Sequence, residues 1–193
     1  MERLITFFGS GKGTPGDPAY DQMKKLGSIV NARGGIPVTG GFGGSGMEAP
    51  ARGAHENGGQ TIIGHVLRDT GLKANQYLTE VVDHSVGPEG SPLPVETAFC
   101  LRLAGLTASQ GFVFGAGAGI GTFVELMTIF NHNLKLWKSQ PRPVALLGEA
   151  WYERLQFFSD QGLLGPGGYK SLSWLCVADT PEQAANHVLP LMD

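Results

Sequence analysis

The two side chains best placed by type and spacing to do chemistry are Arg102 and Glu125, 23 residues apart in stretches that are otherwise apolar. Val95, Phe99, Arg102 and Leu106 follow one another at steps of 4, 3 and 4 residues. They therefore share one face of a helix expected over 94 to 108. A guanidinium is never deprotonated and is rarely buried without an anion. Its partner is either a carboxylate of the fold, such as Asp83 or Glu125, or the phosphate of a ligand. Glu125 closes the stretch 111 to 125. There an apolar run (Phe112, Val113, Phe114) reads as a buried strand, glycines follow at 115, 117, 119 and 121, and Thr122 and Glu125 open an apolar helix expected over 122 to 138. Strand, glycine loop and helix start together present backbone N–H groups and a helix dipole to a phosphate. Thr122 and Glu125 also have the spacing of a capping box. Glu125 is structural if it folds back on the helix start, and catalytic if it turns toward a ribose beside Arg102.

Two further glycine loops must lie near these residues. The first, from Gly9 to Pro18, contains Gly9-Ser10-Gly11-Lys12-Gly13-Thr14 but is not a P-loop. The glycine required six residues before the lysine is Thr6, inside a strand, and Pro15 and Pro18 push the helix start to about residue 18. Gly9 and Ser10 remain candidates for a phosphate or ribose contact, against the plainer reading of a turn. The second loop holds Gly40, Gly41, Gly44 and Ser45 just before a helix expected from Met47. These residues either let a ligand approach the backbone or serve tight strand-to-helix packing.

Apolar runs and helical stretches alternate along the chain. Strands are expected at 4–8, 36–39, 61–66, 80–83, 111–115, 143–147 and 173–177. Helices are expected at 18–33, 47–56, 94–108, 122–138, 151–161 and 181–189, with Asp17 as N-cap of the first. This order implies one α/β domain over 1–193, a Rossmann-like doubly wound parallel sheet with helices on both faces. All three glycine loops follow strands, so all three belong on the carboxyl edge, where such sheets bind ligands. The helix at 122–138 is apolar nearly all round, which implies burial on the sheet and against a second subunit, a homodimer.

Composition removes whole classes of function. Hydrophobic residues make up 41% and charged residues 16%, and the net charge is -3. That balance leaves no electrostatic footprint for a nucleic acid polymer. No apolar run is long enough for a membrane span and no signal-peptide layout opens the chain, so a cytoplasmic protein is expected. Cys100 and Cys176 sit singly in apolar segments and read as buried thiols, and the five histidines have no ligand spacing, so no metal site is expected. Glycine, at 30 residues, is about twice its usual ~7% share, but it clusters in the three loops and does not mark a flexible tract.

These features together resemble the LONELY GUY (LOG) family, the "lysine decarboxylase-like" proteins. The family signature Pro-Gly-Gly-x-Gly-Thr-x-x-Glu is similar to residues 117–125, and Arg102 stands at the distance of the family's upstream arginine. Gly40-Gly41 through Gly46-Met47 resembles its second-strand motif, and Phe7 to Ser10 its first strand end. Gly117 and Ala118 depart from the signature. Leu103 stands where a lysine is usual, Phe99 where a methionine is usual, and Ser45 replaces a glycine. The resemblance implies hydrolysis of the N-glycosidic bond of a nucleoside 5′-monophosphate, of cytokinin ribotide or AMP type, to free base and ribose 5-phosphate. Arg102 and Glu125 would be the catalytic pair. Gly119, Gly121 and Thr122 would hold the phosphate, with Gly9, Ser10, Gly40, Gly41, Gly44 and Ser45 around the nucleotide and Phe99 and Met47 against the base. No metal or organic cofactor is implied. No lysine stands in a pyridoxal-type context, so lysine decarboxylation is not expected. The alternative is a non-catalytic carrier of a nucleotide or of the molybdenum cofactor on the same fold.

Overall fold

In the computed structural model, residues 3–189 are described, so the domain expected over 1–193 extends past them at both ends. Seven strands form one sheet: β1 (Arg3–Phe8), β2 (Gly35–Thr39), β3 (Ile63–Val66), β4 (Glu80–Asp83), β5 (Gly111–Phe114), β6 (Val144–Leu147) and β7 (Leu175–Ala178). Every pairing is parallel and the order is β4-β3-β2-β1-β5-β6-β7. The chain steps outward from β1 to β4, then crosses to β5 on the other side of β1. Strand order thus reverses between β1 and β5, where loops leave in opposite directions and open a crevice. The α-helices are α1 (Pro18–Ala32), α2 (Glu48–Glu56), α3 (Val95–Leu106), α4 (Ile120–Asn131), α5 (Ala150–Asp160) and α6 (Pro181–Val188).

The central strands are mostly apolar because both sheet faces are covered there, whereas the edge strand β4 is largely exposed. On one face, Tyr20, Met23 and Leu26 of α1 and Ala184 and Val188 of α6 pack on Ile5, Phe7, Val113 and Ala145. Glycines bring α1 and α2 into backbone contact: a Cβ at Gly27 would run into the Pro50 carbonyl, and one at Gly53 into that of Lys24. On the other face, Leu126 and Ile129 of α4 and Trp151 and Leu155 of α5 pack on Phe8, Phe112, Phe114 and Leu146. The helix α3 is seated more thinly, with only Ala98 and Leu106 buried.

Three expectations are corrected, and one, the N-cap at Asp17, is borne out. The helix expected from Thr122 begins at Ile120 with Gly119 as N-cap, and its α-helical part ends at Asn131. A π-helical turn, His132–Leu136, follows, closed by the Trp137 N–H on the His132 carbonyl at 2.8 Å. The capping box does not form, because the Thr122 hydroxyl donates to the Gly9 carbonyl at 3.1 Å; a tertiary bond to the end of β1 replaces the local one. Asp17 occupies the N-cap of α1, but its carboxylate accepts from the Thr14 N–H at 2.6 Å and so braces the preceding loop. The thiols are less buried than expected, with Cys100 exposed on α3 and Cys176 half-buried on β7. Among the described residues no helix is long and apolar enough to cross a membrane.

Candidate active site

The three glycine loops meet at the carboxyl ends of β1, β2 and β5, and main-chain bonds hold them there. The Gly46 N–H donates to the Ser10 carbonyl and the Ser45 N–H to the Lys12 carbonyl, both at 2.9 Å. The second loop lies so close to the first that a Cβ on Gly44 would strike the Gly11 carbonyl carbon, and one on Gly46 would strike Gly9. Gly44 also has φ of +91°, which glycine alone adopts without strain. The third loop is held from α5, where the Trp151 indole donates to the Gly115 carbonyl at 3.2 Å and Arg154 to the Ala116 carbonyl at 3.1 Å.

A cavity of about 650 Å³ opens over this junction, within the usual size of a small-molecule site. Arg102 reaches it from α3 and Glu125 from α4, with Gly9, Ser10, Gly40, Met47, Phe99, Gly119, Gly121 and Thr122 also in its walls. Gly41, Gly44 and Ser45 lie outside the lining. Gly41 (φ +79°) turns the chain beside Val66, while Gly44 and Ser45 pack on the first loop. Lys12, Phe42, Leu67, Thr70 and Val95 line the cavity without having been assigned to the site from the sequence. A lysine in the first glycine loop was the available signal for Lys12; Leu67 and Thr70 come from an irregular stretch that offered none. Leu103 is not among the lining residues, so a side chain at that position does not face this cavity.

The partner of Arg102 is neither carboxylate considered above. Its Nε donates to the His65 carbonyl at 2.8 Å and its Nη2 to the Gly40 carbonyl at 2.9 Å. Gly40 directly follows β2, and the β2–β3 pairing ends at Thr39 and Gly64, one residue before His65. The guanidinium lies 5.6 Å from the centroid of the Phe42 ring. Gly40 is required by this arrangement, since a Cβ there would meet Arg102 Nη2 and the Met47 sulfur. Carbonyls fix the direction of the side chain but leave its charge uncompensated. Nη1 has no hydrogen-bond partner among the described residues, which suits it to an incoming anion.

Glu125 carries no hydrogen bond or ion pair among the described residues. Burial pushes its carboxyl up to about 7, and the field of Arg102 opposes that rise. Burial also lowers the Arg102 guanidinium from its ordinary value, against the pull of Glu125. The two charges therefore face one cavity from different helices and act on each other without a direct ion pair. A carboxylate poised between its two protonation states near neutral pH is the form a general acid–base group takes. Among the described residues no cluster of three or more His, Cys, Asp or Glu could hold a metal ion.

A parallel sheet with its cavity at the reversal of strand order defines a Rossmann-like α/β domain built to bind a nucleotide or cofactor. The chain belongs to the LOG-like family whose model is described as "Possible lysine decarboxylase" and matches residues 47–188. It is similar in structure to the molybdenum cofactor carrier protein of Chlamydomonas reinhardtii, at 22% identity and a TM-score of 0.66 over 97% of this chain and 96% of that one. It is also similar to the molybdenum cofactor binding protein of the phototrophic bacterium Rippkaea orientalis (19% identity, TM-score 0.63, 94% and 92% covered). A third likeness is to the structural genomics target TM1055 (23% identity, TM-score 0.67, 96% and 97% covered). At these identities the likeness carries the fold alone. No curated protein matches the chain.

Proposed function

We propose that the protein is a metal-independent hydrolase of nucleoside 5′-monophosphates that releases a free base and ribose 5-phosphate. The observation that carries this reading is the convergence of Arg102 and Glu125 on one cavity, with the Glu125 carboxyl unpaired and raised to about 7. Cleavage of an N-glycosidic bond develops positive charge at C1′ of the ribose. An ionised carboxylate stabilises that charge and accepts the proton of the attacking water. The C1′–N bond breaks, the water oxygen bonds to C1′, and the proton passes to the departing base. The N–H groups at the start of α4 and the free edge of Arg102 grip the 5′-phosphate, so that binding energy far from the reacting bond orients the ribose. Phe42, Phe99 and Met47 give the base an apolar wall. Lysine decarboxylation is not supported: a pyridoxal-type lysine is desolvated in its site, whereas the lysine of this cavity, Lys12, lies on an exposed loop.

The same reading includes a homodimer. α3 exposes Val95 (63%), Phe99 and Leu101, α4 exposes Ile120 (84%) and Val124, and Leu136 follows in the π-helical turn. Val95 and Phe99 belong to the cavity rim, so a second copy seated on these helices shields the site from water. Partners other than a small nucleotide and this second copy, such as a nucleic acid polymer or a membrane, are not part of the proposal.

The test is to incubate the purified protein with AMP, isopentenyladenosine monophosphate and other nucleoside monophosphates and to measure free base by chromatography. Release is expected to increase with pH through about 7 as Glu125 ionises. Glu125→Gln is expected to lower kcat by roughly 10²- to 10⁴-fold. No release from any nucleotide, together with tight retention of a ligand, would favour the carrier alternative.

A further inference from the structure

Outside the cavity lining, next to Arg102, two histidines from neighbouring strands are in contact. His65 lies on β3 and His84 directly follows β4. The Nδ1 of His65 is 2.7 Å from the Nε2 of His84, with the ring centroids 5.0 Å apart and the planes within 19° of parallel. Ring nitrogens this close share one proton: one ring donates and the other accepts. One added proton settles on an outer ring nitrogen and keeps the bond, as an imidazolium donating to an imidazole; only a charge on both rings sets two N–H groups against each other and replaces the bond with a repulsion.

The pair forms part of the seat of α3. Gly105 rests on it so closely that a Cβ there would come within 2.7 Å of His65 Nδ1 and 3.2 Å of His84 Nε2. One turn earlier, Arg102 Nε donates to the main-chain carbonyl of the same His65. His65 therefore meets α3 twice, by its ring under Gly105 and by its carbonyl at Arg102. Because α3 buries only Ala98 and Leu106 of its own side chains, this contact is a large share of what fixes its height above the sheet edge.

We propose that the uncharged His65–His84 pair is a positioning element for Arg102, and that protonation of both rings releases the arginine from its aim. This rests on the reading of Arg102 as the residue that grips the nucleotide. The charged groups around the pair are Arg102 from α3, which disfavours protonation of both rings, and Asp83 from β4, which favours it at His84. Asp83 is itself paired with Arg68 at 2.5 Å and accepts from the Ser85 N–H at 2.9 Å. Burial is the largest influence on both rings and holds His65 at about 4, with His84 also below the ordinary histidine range. The neutral pair is thus the resting state near neutral pH, and acid is the signal that breaks it.

The test uses His84→Gln, which keeps a polar partner for His65 but cannot take up a proton. In the full-length protein, the logarithm of the nucleotide-cleavage rate is expected to fall on acidification first with unit slope, from Glu125, and then with a slope approaching two. In His84→Gln the slope stays at one, with neutral-pH activity within about threefold of wild type. Superimposable profiles would overturn the proposal. If no nucleotide is cleaved, the proposed reaction fails, and the pair is tested by calorimetric titration with ribose 5-phosphate and by NMR of the labelled imidazoles. Affinity lost in acid by wild type but not by His84→Gln, with both rings titrating below the ordinary range and shifting up in Arg102→Ala, supports the positioning role. Ordinary titration of both rings, unmoved by Arg102→Ala, would reject it.

Discussion

The two faces of the sheet are finished differently. On the face of α1, α2 and α6 the helices interlock through glycines and close over a continuous core. Exposed ion pairs such as Lys24–Glu56 and Lys25–Glu182 rim this layer. On the other face, α4 and α5 pack inward as tightly, but α3 and the start of α4 leave large apolar side chains in solvent. Both reactive side chains of the candidate site come from that second layer. Both faces thus contribute core, but only the second also leaves apolar surface open beside the candidate site, and the loops at the reversal point belong to both.

The contrast can be broken most forcefully on the closed face. Gly53→Leu drives a side chain into the Lys24 carbonyl. It is expected to destabilise the protein by on the order of 3 kcal/mol in chemical denaturation, and a loss below ~0.5 kcal/mol would show that α1 and α2 can separate without cost. A smaller effect of opposite sign is expected across the sheet. Glu125 ionises above about 4.5 in the unfolded chain but only near 7 in the folded one. The unfolded state therefore binds fewer protons between these values, and stability falls as pH rises through them. Glu125→Gln removes that penalty and should stabilise the protein by on the order of 2 kcal/mol at pH 8, with no gain at pH 4. Equal melting shifts at both pH values would mean that the carboxyl is not held up by burial. The smallest effect on the fold is expected at Ile120→Asp, within ~0.5 kcal/mol. The same change should halve the mass seen by light scattering, and a monomeric wild type would remove the second copy from the account.

Much of this division was legible in the sequence, because helix and strand periodicities survive in a doubly wound fold. Arg102 was visible as a lone cation on an apolar face, and the glycine clusters marked the loops that meet. What could not be read was where main-chain atoms would come together. The anchors of Arg102 are carbonyls at Gly40 and His65, which no side-chain pattern announces. The local capping signal at Thr122 and Glu125 was outcompeted by a bond to Gly9, more than a hundred residues away in the chain. The contact of His65 with His84 likewise depends on the β3–β4 register, where His65 pairs with Val82, and not on ligand-like spacing. Periodicity did indicate apolar surface on both sides of α4. For Cys100 it misjudged exposure, because α3 is apolar around its circumference yet covered on little of it.

Because Arg102 donates to peptide oxygens, its two anchoring bonds do not pass through the side chains that would meet the base. Identity matters to the anchor at Gly40, through the space a Cβ would take, and at His65, through the ring on which Gly105 of α3 rests. The walls that would meet the base (Phe42, Phe99 and Met47) share no hydrogen bond with this anchor. They can be exchanged to accept a different ligand while the arginine keeps pointing the same way. Such an arrangement separates what a lineage must inherit from what it is free to revise, so new specificities can arise on this scaffold by changing the walls alone.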